Sequence, residues 1–181
     1  EQPDNTRAMV LWGHAPNSQT RMLEMKEAME KLDLLVVVDP FPTVSAVLHD
    51  RKDGAYLLPA TTQFETSGSV TASNRSLQWR EKVVEPLFES KVDHEIIKLF
   101  ADKFGFTDRM FRNIAIEGNE PVVEDITREF NRGMWTIGYT GQSPERLKKH
   151  MANQHHFDKT TLRAVGGPCD GDIYGLPWPS W

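Results

Sequence analysis

Leu34-Leu35-Val36-Val37-Val38-Asp39-Pro40 is the stretch on which the fold turns. Five apolar residues run without alternation and stop at Asp-Pro. A strand with one wet face alternates polar and apolar residues. An unbroken run of this kind predicts a strand covered on both faces, as in a parallel sheet. Upstream, Ala8-Met9-Val10-Leu11-Trp12 is a second short apolar run, halted by Gly13. Downstream, Ala55-Tyr56-Leu57-Leu58 is a third, halted by Pro59. Between the first two runs the spacing predicts a helix from about Ser18 to Leu32, with Asn17 or Ser18 as its N-cap. Met22, Met25, Met29 and Leu32 form its apolar stripe, which reads as core packing, while Arg21, Glu24, Lys26, Glu27 and Lys31 lie largely off it. Strand, loop, helix, strand is a βαβ unit with an expected right-handed crossover. The fold class is therefore α/β, a parallel sheet flanked by helices.

Further along, Thr43–Asp50 has room for a short helical turn, and Arg51-Lys52-Asp53-Gly54 is a turn signal. Residues 60–74 are mostly Thr, Ser, Gln and Gly and read as a long loop. Leu77–Leu87, with Trp79, Val83 and Val84, has no clear period. A helix is predicted over Asp93–Phe104, with Ile96, Ile97, Phe100 and Phe104 on one face and Gly105 closing it. Pro121–Asn131 reads as another, with Val122, Val123, Ile126 and Phe130 inward and Gly133 as its stop. Ser143-Pro144-Glu145 is an N-cap followed by proline at the first helical position, opening a helix to about Met151. From Gly166 onward the chain is rich in Gly, Pro and Trp and is expected to lie extended against a partner surface. The expected division is 1–108 as the α/β part and 109–181 as a C-terminal helical and irregular appendage.

Composition bounds the function. The 181 residues carry 21 Lys and Arg against 26 Asp and Glu, a net charge of −5, which argues against a general nucleic-acid binder. One cysteine, Cys169, excludes a disulfide framework or a Cys-ligated cluster built within the chain. No apolar run approaches the ~20 residues of a membrane span. The chain opens Glu1-Gln2-Pro3 without Met and closes Pro177-Trp178-Pro179-Ser180-Trp181, so a piece of something longer is expected.

Two places invite a ligand. Gly13–Thr20 lies where a strand ends and a helix begins, and ligands of open α/β sheets gather at the carboxyl ends of strands. A helix start offers free N–H groups to an anion. Asn17, Ser18, Gln19 and Thr20 add side-chain donors, and Gly13 leaves the backbone open. An ordinary βα turn capped by Asn17 reads the same. No GxGxxG or Walker A pattern is present, so a standard NAD or ATP loop is not indicated. Asp39 stands where an acid can meet a ribose or base edge, or simply make an Asp-Pro turn. His150, His155 and His156 read as surface histidines near a helix end, and Cys169 as a plain loop thiol. The acid pair Glu117 and Glu120 reads as solvated surface.

Longer strings add a resemblance. Gly13-His14-Ala15-Pro16-Asn17-Ser18-Gln19-Thr20-Arg21, Val36–Phe41, Tyr56–Ala60 with Glu65 and Gly68, and Ala72-Ser73-Asn74-Arg75 resemble the molybdopterin oxidoreductases. Trp135–Leu147 and Tyr174–Pro179 resemble one branch of them, the large subunit of metal-dependent formate dehydrogenases, which often contain selenocysteine. The resemblance covers nearly the whole chain. It implies an internal segment, Rossmann-like in fold, of a subunit holding bis(molybdopterin guanine dinucleotide), bis-MGD, around molybdenum or tungsten. A [4Fe-4S] cluster would lie outside this segment. It further implies formate as the parent's substrate, an iron–sulfur electron-transfer subunit as partner, anaerobic respiration as setting and the periplasm as location, with neither nucleic acid nor direct membrane insertion. Carried onto this sequence, the implied cofactor contacts are Gly13, His14, Ala15, Asn17, Ser18, Gln19, Asp39, Pro40, Phe41 and Thr43. The implied catalytic and metal residues lie upstream, so none is assigned here. A relative that keeps the fold without the pterin, or another family enzyme such as a nitrate reductase, stands as the alternative.

Overall fold

The structure is a computed structural model and describes residues 6–14, 19–71, 76–133 and 143–177. The chain divides into two compact units, Glu1–Thr62 with Pro86–Asp93, and Gln63–Glu85 with His94–Trp181.

The first unit is the expected parallel sheet. Strands β1 (Ala8–Trp12), β2 (Leu34–Asp39) and β3 (Tyr56–Pro59) lie in the order β1-β2-β3, both pairs parallel. Val10 stands beside Val36, and Val36 beside Tyr56. The central place of β2 explains its composition. Leu35 and Val37 join Leu11, Met29 and Leu32 in the core, with Met9, Met25, Leu48 and Ala55 packed against them. Val36 and Val38 point to the other side and are also buried. Each such side chain contributes about 1.5–3 kcal/mol. The flanking strands are less covered there, and Tyr56 is 68% exposed.

The crossover helix α1 is Met22–Glu30, shorter at its start than the stripe suggested. Arg21 precedes it in the left-handed region at φ 61°, ψ 38°, and a helix cannot be continued backward through such a residue. Its guanidinium pairs with Glu24 in the first turn. At the other end Arg51 supplies what a C-terminal glycine usually would. Nη1 donates to the carbonyls of Met29 (3.0 Å) and Leu32, Nη2 to that of Asp33 (3.3 Å), and Nε to that of Gly54 (2.9 Å). The planar fork thus satisfies carbonyls that the helix end leaves open. Residues 59–61 continue past β3 by pairing with Lys91: Lys91 N–H donates to Pro59 (3.1 Å) and Thr61 N–H to Lys91 (3.0 Å).

The second unit corrects several expectations. The supposed loop over 60–74 contains a strand, β4 (Gly68–Thr71), antiparallel to β5 (Ser76–Arg80). Its polar residues become a strand because Trp79 and Leu77 on β5 are buried and supply a ladder. Helices α2 (Asp93–Phe104) and α3 (Thr107–Met110) follow, α2 closing at Gly105 with φ 73°. Phe104 is 71% exposed rather than inward, and stacks between Phe100 and Phe106 at centroid distances of 6.4 and 6.0 Å. A short hairpin of β6 (Ile116–Glu117) and β7 (Glu120–Pro121) leaves Glu117 and Glu120 exposed as expected. Helix α4 (Val123–Gly133) turns Val123 and Thr127 inward, four residues apart on one face, while Phe130, nearer the helix end, is 51% exposed rather than inward. Thr127 Oγ1 lies 2.9 Å from Ser69 Oγ on β4. Helix α5 (Pro144–Ala152) begins as its sequence says, with Ser143 Oγ accepting from Arg146 N–H at 3.1 Å. Leu147 packs on Leu77 and Trp79. Lys148 Nζ lies 4.8 Å from the centre of the Trp79 ring and 2.5 Å from Glu124 Oε1.

The stretch from Gly166 is not laid out on a foreign surface. Cys169 and Tyr174 are buried with Phe157 and Ala164, and β8 (Leu176–Pro177) pairs antiparallel with β5. Gly175 makes this possible. It sits at φ 62°, and a Cβ there would lie 2.2 Å from the Leu77 carbonyl oxygen. No helix among the described residues is long and apolar enough to cross a membrane. The expectation for Trp178–Trp181 lies outside the described residues.

Candidate functional site

The parallel register brings the ends of β1 and β2 together, because Trp12 pairs with Val38. Gly13 N–H then donates to the Val38 carbonyl at 2.9 Å, so the loop after β1 leaves beside Asp39. Gly13 is at φ 52°, and a Cβ on it would meet nothing within 4 Å. The backbone there is open to a ligand and favours glycine for its conformation alone. His14 is exposed, with Gln19 Nε2 3.3 Å from its Nε2. Its backbone carbonyl accepts from the Ser45 hydroxyl. Across the edge, Asp39 is half-buried and organises its own loop. Oδ1 accepts from Phe41 N–H at 3.4 Å and Oδ2 from Thr43 Oγ1 at 3.3 Å. The Asp-Pro turn is therefore real. It does not exhaust the group, since a carboxylate has about four acceptor positions and these two bonds are long. Pro40 and Phe41 are exposed beside it, and Thr43 is half-buried. Ala60 N–H donates to the Asp39 carbonyl at 3.2 Å, which fixes the strand end from the third side.

Of the residues singled out in the sequence, Gly13, His14, Gln19, Asp39, Pro40, Phe41 and Thr43 thus belong to this one sheet edge. Ala15, Asn17 and Ser18 lie outside the described residues, as do Ala72–Arg75 and most of the Trp135–Leu147 string. Sequence reasoning missed Ser45. Its signal was faint, a serine inside the short 3-10 turn Val44–Ala46 that follows the strand end.

A second cluster appears where sequence spacing showed none. His150 is 1% exposed, not a surface histidine, and its ring lies 5.1 Å from that of Phe157. Cys169, read as a plain loop thiol, is a free and buried cysteine at the end of the short 3-10 turn Gly167–Cys169. Potential ligand atoms of His150, Cys169 and Asp172 lie within 4.8 Å of one another. The ring's hydrogen bonds define what this trio does. Gly175 N–H donates to Nδ1 at 3.0 Å, so Nδ1 carries the lone pair and Nε2 the proton, which it donates to Asp172 Oδ2 at 3.1 Å. Both ring nitrogens are committed, and the trio ties α5 to the segment before β8. Burial holds the His150 pKa below the usual histidine value; Asp172 opposes that shift, and Arg146 and Lys149 add to it.

Comparison with known proteins sets these sites in context. The family model described as molybdopterin oxidoreductase matches residues 2–103. The chain belongs to the molybdopterin oxidoreductase family. Members of this family work through a molybdopterin-bound metal. The matched range contains the whole sheet edge and ends within α2. Among curated relatives, the F420-dependent formate dehydrogenase subunit alpha of Methanocaldococcus jannaschii is 33% identical over 149 residues, 82% of this chain and 20% of the relative. The chain thus spans about a fifth of that family member. Among solved structures, acetylene hydratase from Pelobacter acetylenicus superposes with a TM-score of 0.54 at 16% identity, over 97% of this chain and 24% of that one. At that identity the likeness speaks for the α/β fold of this molybdopterin-family chain.

The donor sets differ in what they suit. An open glycine backbone, an exposed imidazole and amide, and a carboxylate with acceptor capacity suit the polar, phosphate-bearing part of a molybdopterin. Cys169 does not suit a metal, since it is buried beside His150, whose two ring nitrogens are already committed.

Proposed function

We propose that this chain is the cofactor-anchoring segment of a formate dehydrogenase catalytic subunit, and that its sheet edge grips the guanine nucleotide of one pterin in bis-MGD. The observation that carries the reading is the meeting of Gly13 and Asp39 at adjacent strand ends, through the Gly13–Val38 bond. The loop after β1 presents donors to the pyrophosphate. Asp39 presents an acceptor to guanine, whose N1–H and amino group are donors side by side. Phe41 is 67% exposed and offers the base an apolar face. Each charge-assisted bond of this kind is worth about 1.5–3 kcal/mol. The metal, molybdenum or tungsten, with its dithiolenes supplies the redox chemistry of the parent, in which formate gives CO2, a proton and two electrons. A [4Fe-4S] cluster and an iron–sulfur partner subunit, both outside this chain, would supply the electron-transfer chemistry. The share of this chain is orientation, holding one end of the cofactor so that the other end is fixed.

The test uses the 181-residue chain and GDP as a stand-in for the nucleotide arm, followed by amide NMR. Shifts centred on Gly13, His14, Asp39 and Phe41 are expected. A spectrum unchanged at millimolar GDP would favour the alternative of a family relative that keeps the fold without the pterin.

A further inference from the structure

Ser45 is 1% exposed and belongs to the loop after β2, yet its hydroxyl donates to the carbonyl of His14 in the loop after β1. The two loops leave neighbouring strands. At their root the Gly13–Val38 bond joins them, and one residue further out the Ser45–His14 bond joins them again. Two successive ties fix the separation of the loops at Gly13 and His14. The turn that carries Ser45 is itself closed, with Ala46 N–H donating to Thr43 at 2.9 Å and Leu48 N–H to Val44 at 2.9 Å. Thr43 in turn reaches Asp39. Two side-chain bonds, Thr43 to Asp39 and Ser45 to His14, therefore leave one closed turn and reach the acceptor on one side of the edge and the backbone on the other.

We infer that Ser45 is the positioning residue of the nucleotide site, setting the distance between the Gly13–His14 backbone and the Asp39 carboxylate without touching the ligand. The inference rests on the nucleotide reading above. A ligand that bridges two loops binds at full strength only if the loops are already at the right spacing. Otherwise their ordering is charged against the binding energy. A buried hydroxyl is suited to the task. It is short, it has one proton to give, and burial keeps water from competing for it.

The experiment measures GDP affinity and thermal midpoint of the 181-residue chain in parallel for wild type, S45A, S45T and S45C. S45A is expected to weaken GDP about tenfold with its midpoint little changed, because alanine fills nearly the same space and loses only the tie. S45T is expected to restore most of the affinity, since it keeps the hydroxyl. S45C, with a weak donor of similar size, should resemble S45A and stands in for it should alanine fail to fold. In wild type the amides of His14 and Asp39 should titrate with a single GDP constant. Wild-type binding with undiminished affinity in S45A or S45C would overturn the inference while leaving the nucleotide reading intact. Absence of GDP binding in the folded wild type would instead overturn the nucleotide reading, and this inference with it.

Discussion

The Gly175 amide donates to Nδ1 of His150 at 3.0 Å, and that single bond decides where the imidazole proton sits. A second proton on the ring has only Nδ1 to go to, where it would face the Gly175 N–H. Together with burial, this favours the neutral ring in the folded state, in line with its lowered pKa.

The pH dependence follows. An unfolded histidine takes up a proton near its ordinary value of 6.5, while His150 in the fold resists until lower pH. Between the two values the unfolded state binds more protons, so stability is full above 6.5 and declines as pH falls below it. Asp172 works against this trend and Arg146 and Lys149 with it. Urea midpoints of wild type and H150N between pH 7.5 and 5 should diverge in slope, the wild type falling more steeply. Parallel slopes would refute the assignment.

Arg51 closes the end of α1 by reaching the carbonyl of Met29 in its last turn, those of Leu32 and Asp33 just beyond it, and that of Gly54. R51A is expected to cost about 1–3 kcal/mol. R51K should recover only part of this, because an ammonium cannot reproduce a planar fork. Chemical denaturation of the three proteins checks both statements.

Gly175 and Gly13 share a positive φ but not a neighbourhood. G175A would drive a methyl group into the Leu77 carbonyl, so β8 must leave β5, at about 3 kcal/mol or more. G13A meets open space and should cost about 1 kcal/mol from its backbone angle alone. Amide exchange at Leu77 should rise in the first variant and not in the second.

Asp39 carries the base preference in the proposed site. GDP should bind the wild-type chain more tightly than ADP, which has no matching pair of donors. D39A should bring the two affinities within about threefold of each other by removing a bond worth roughly 1.5–3 kcal/mol. An unchanged GDP preference in D39A would place guanine recognition elsewhere.

The 181-residue chain alone should show no formate-dependent dye reduction and retain no molybdenum or tungsten after gel filtration. One nucleotide-gripping edge has to meet the whole ordering cost of a large cofactor. Metal analysis by mass spectrometry, with a buffer blank, checks this. Stoichiometric metal would show that the segment holds more of the cofactor than its edge.

What the sequence made legible was whatever one element could announce by itself. The β2 run had to be apolar throughout because both its faces are covered, and Ser143-Pro144 marks a helix start by local chemistry. β4 could not be read, since Gly68-Ser69-Val70-Thr71 has no pattern of its own and borrows its ladder from β5. The left-handed turn at Arg21 is invisible because arginine does not advertise it. The candidate edge was half legible. Gly13 and Asp39 stand at strand ends that the pattern locates, whereas Ser45 matters through a partner 31 positions away. His150 was misread for the same reason: Asp172 and Gly175 lie 22 and 25 positions off.

The pairing of Leu77 with Leu176 also carries a consequence for how the molecule is made. In the first unit each parallel pair closes a ring of only ~20–30 residues, a modest entropic step. The strand β5, by contrast, waits about a hundred residues for β8, and at ribosomal speeds of ~5–20 residues per second that is on the order of 5–20 s. Throughout that interval one flank of β5 offers its backbone to any passing strand. The nascent chain is therefore most vulnerable to aggregation not at its apolar parallel sheet but along Ser76–Arg80, and a chaperone or a slowed growth temperature should raise soluble yield by protecting that flank.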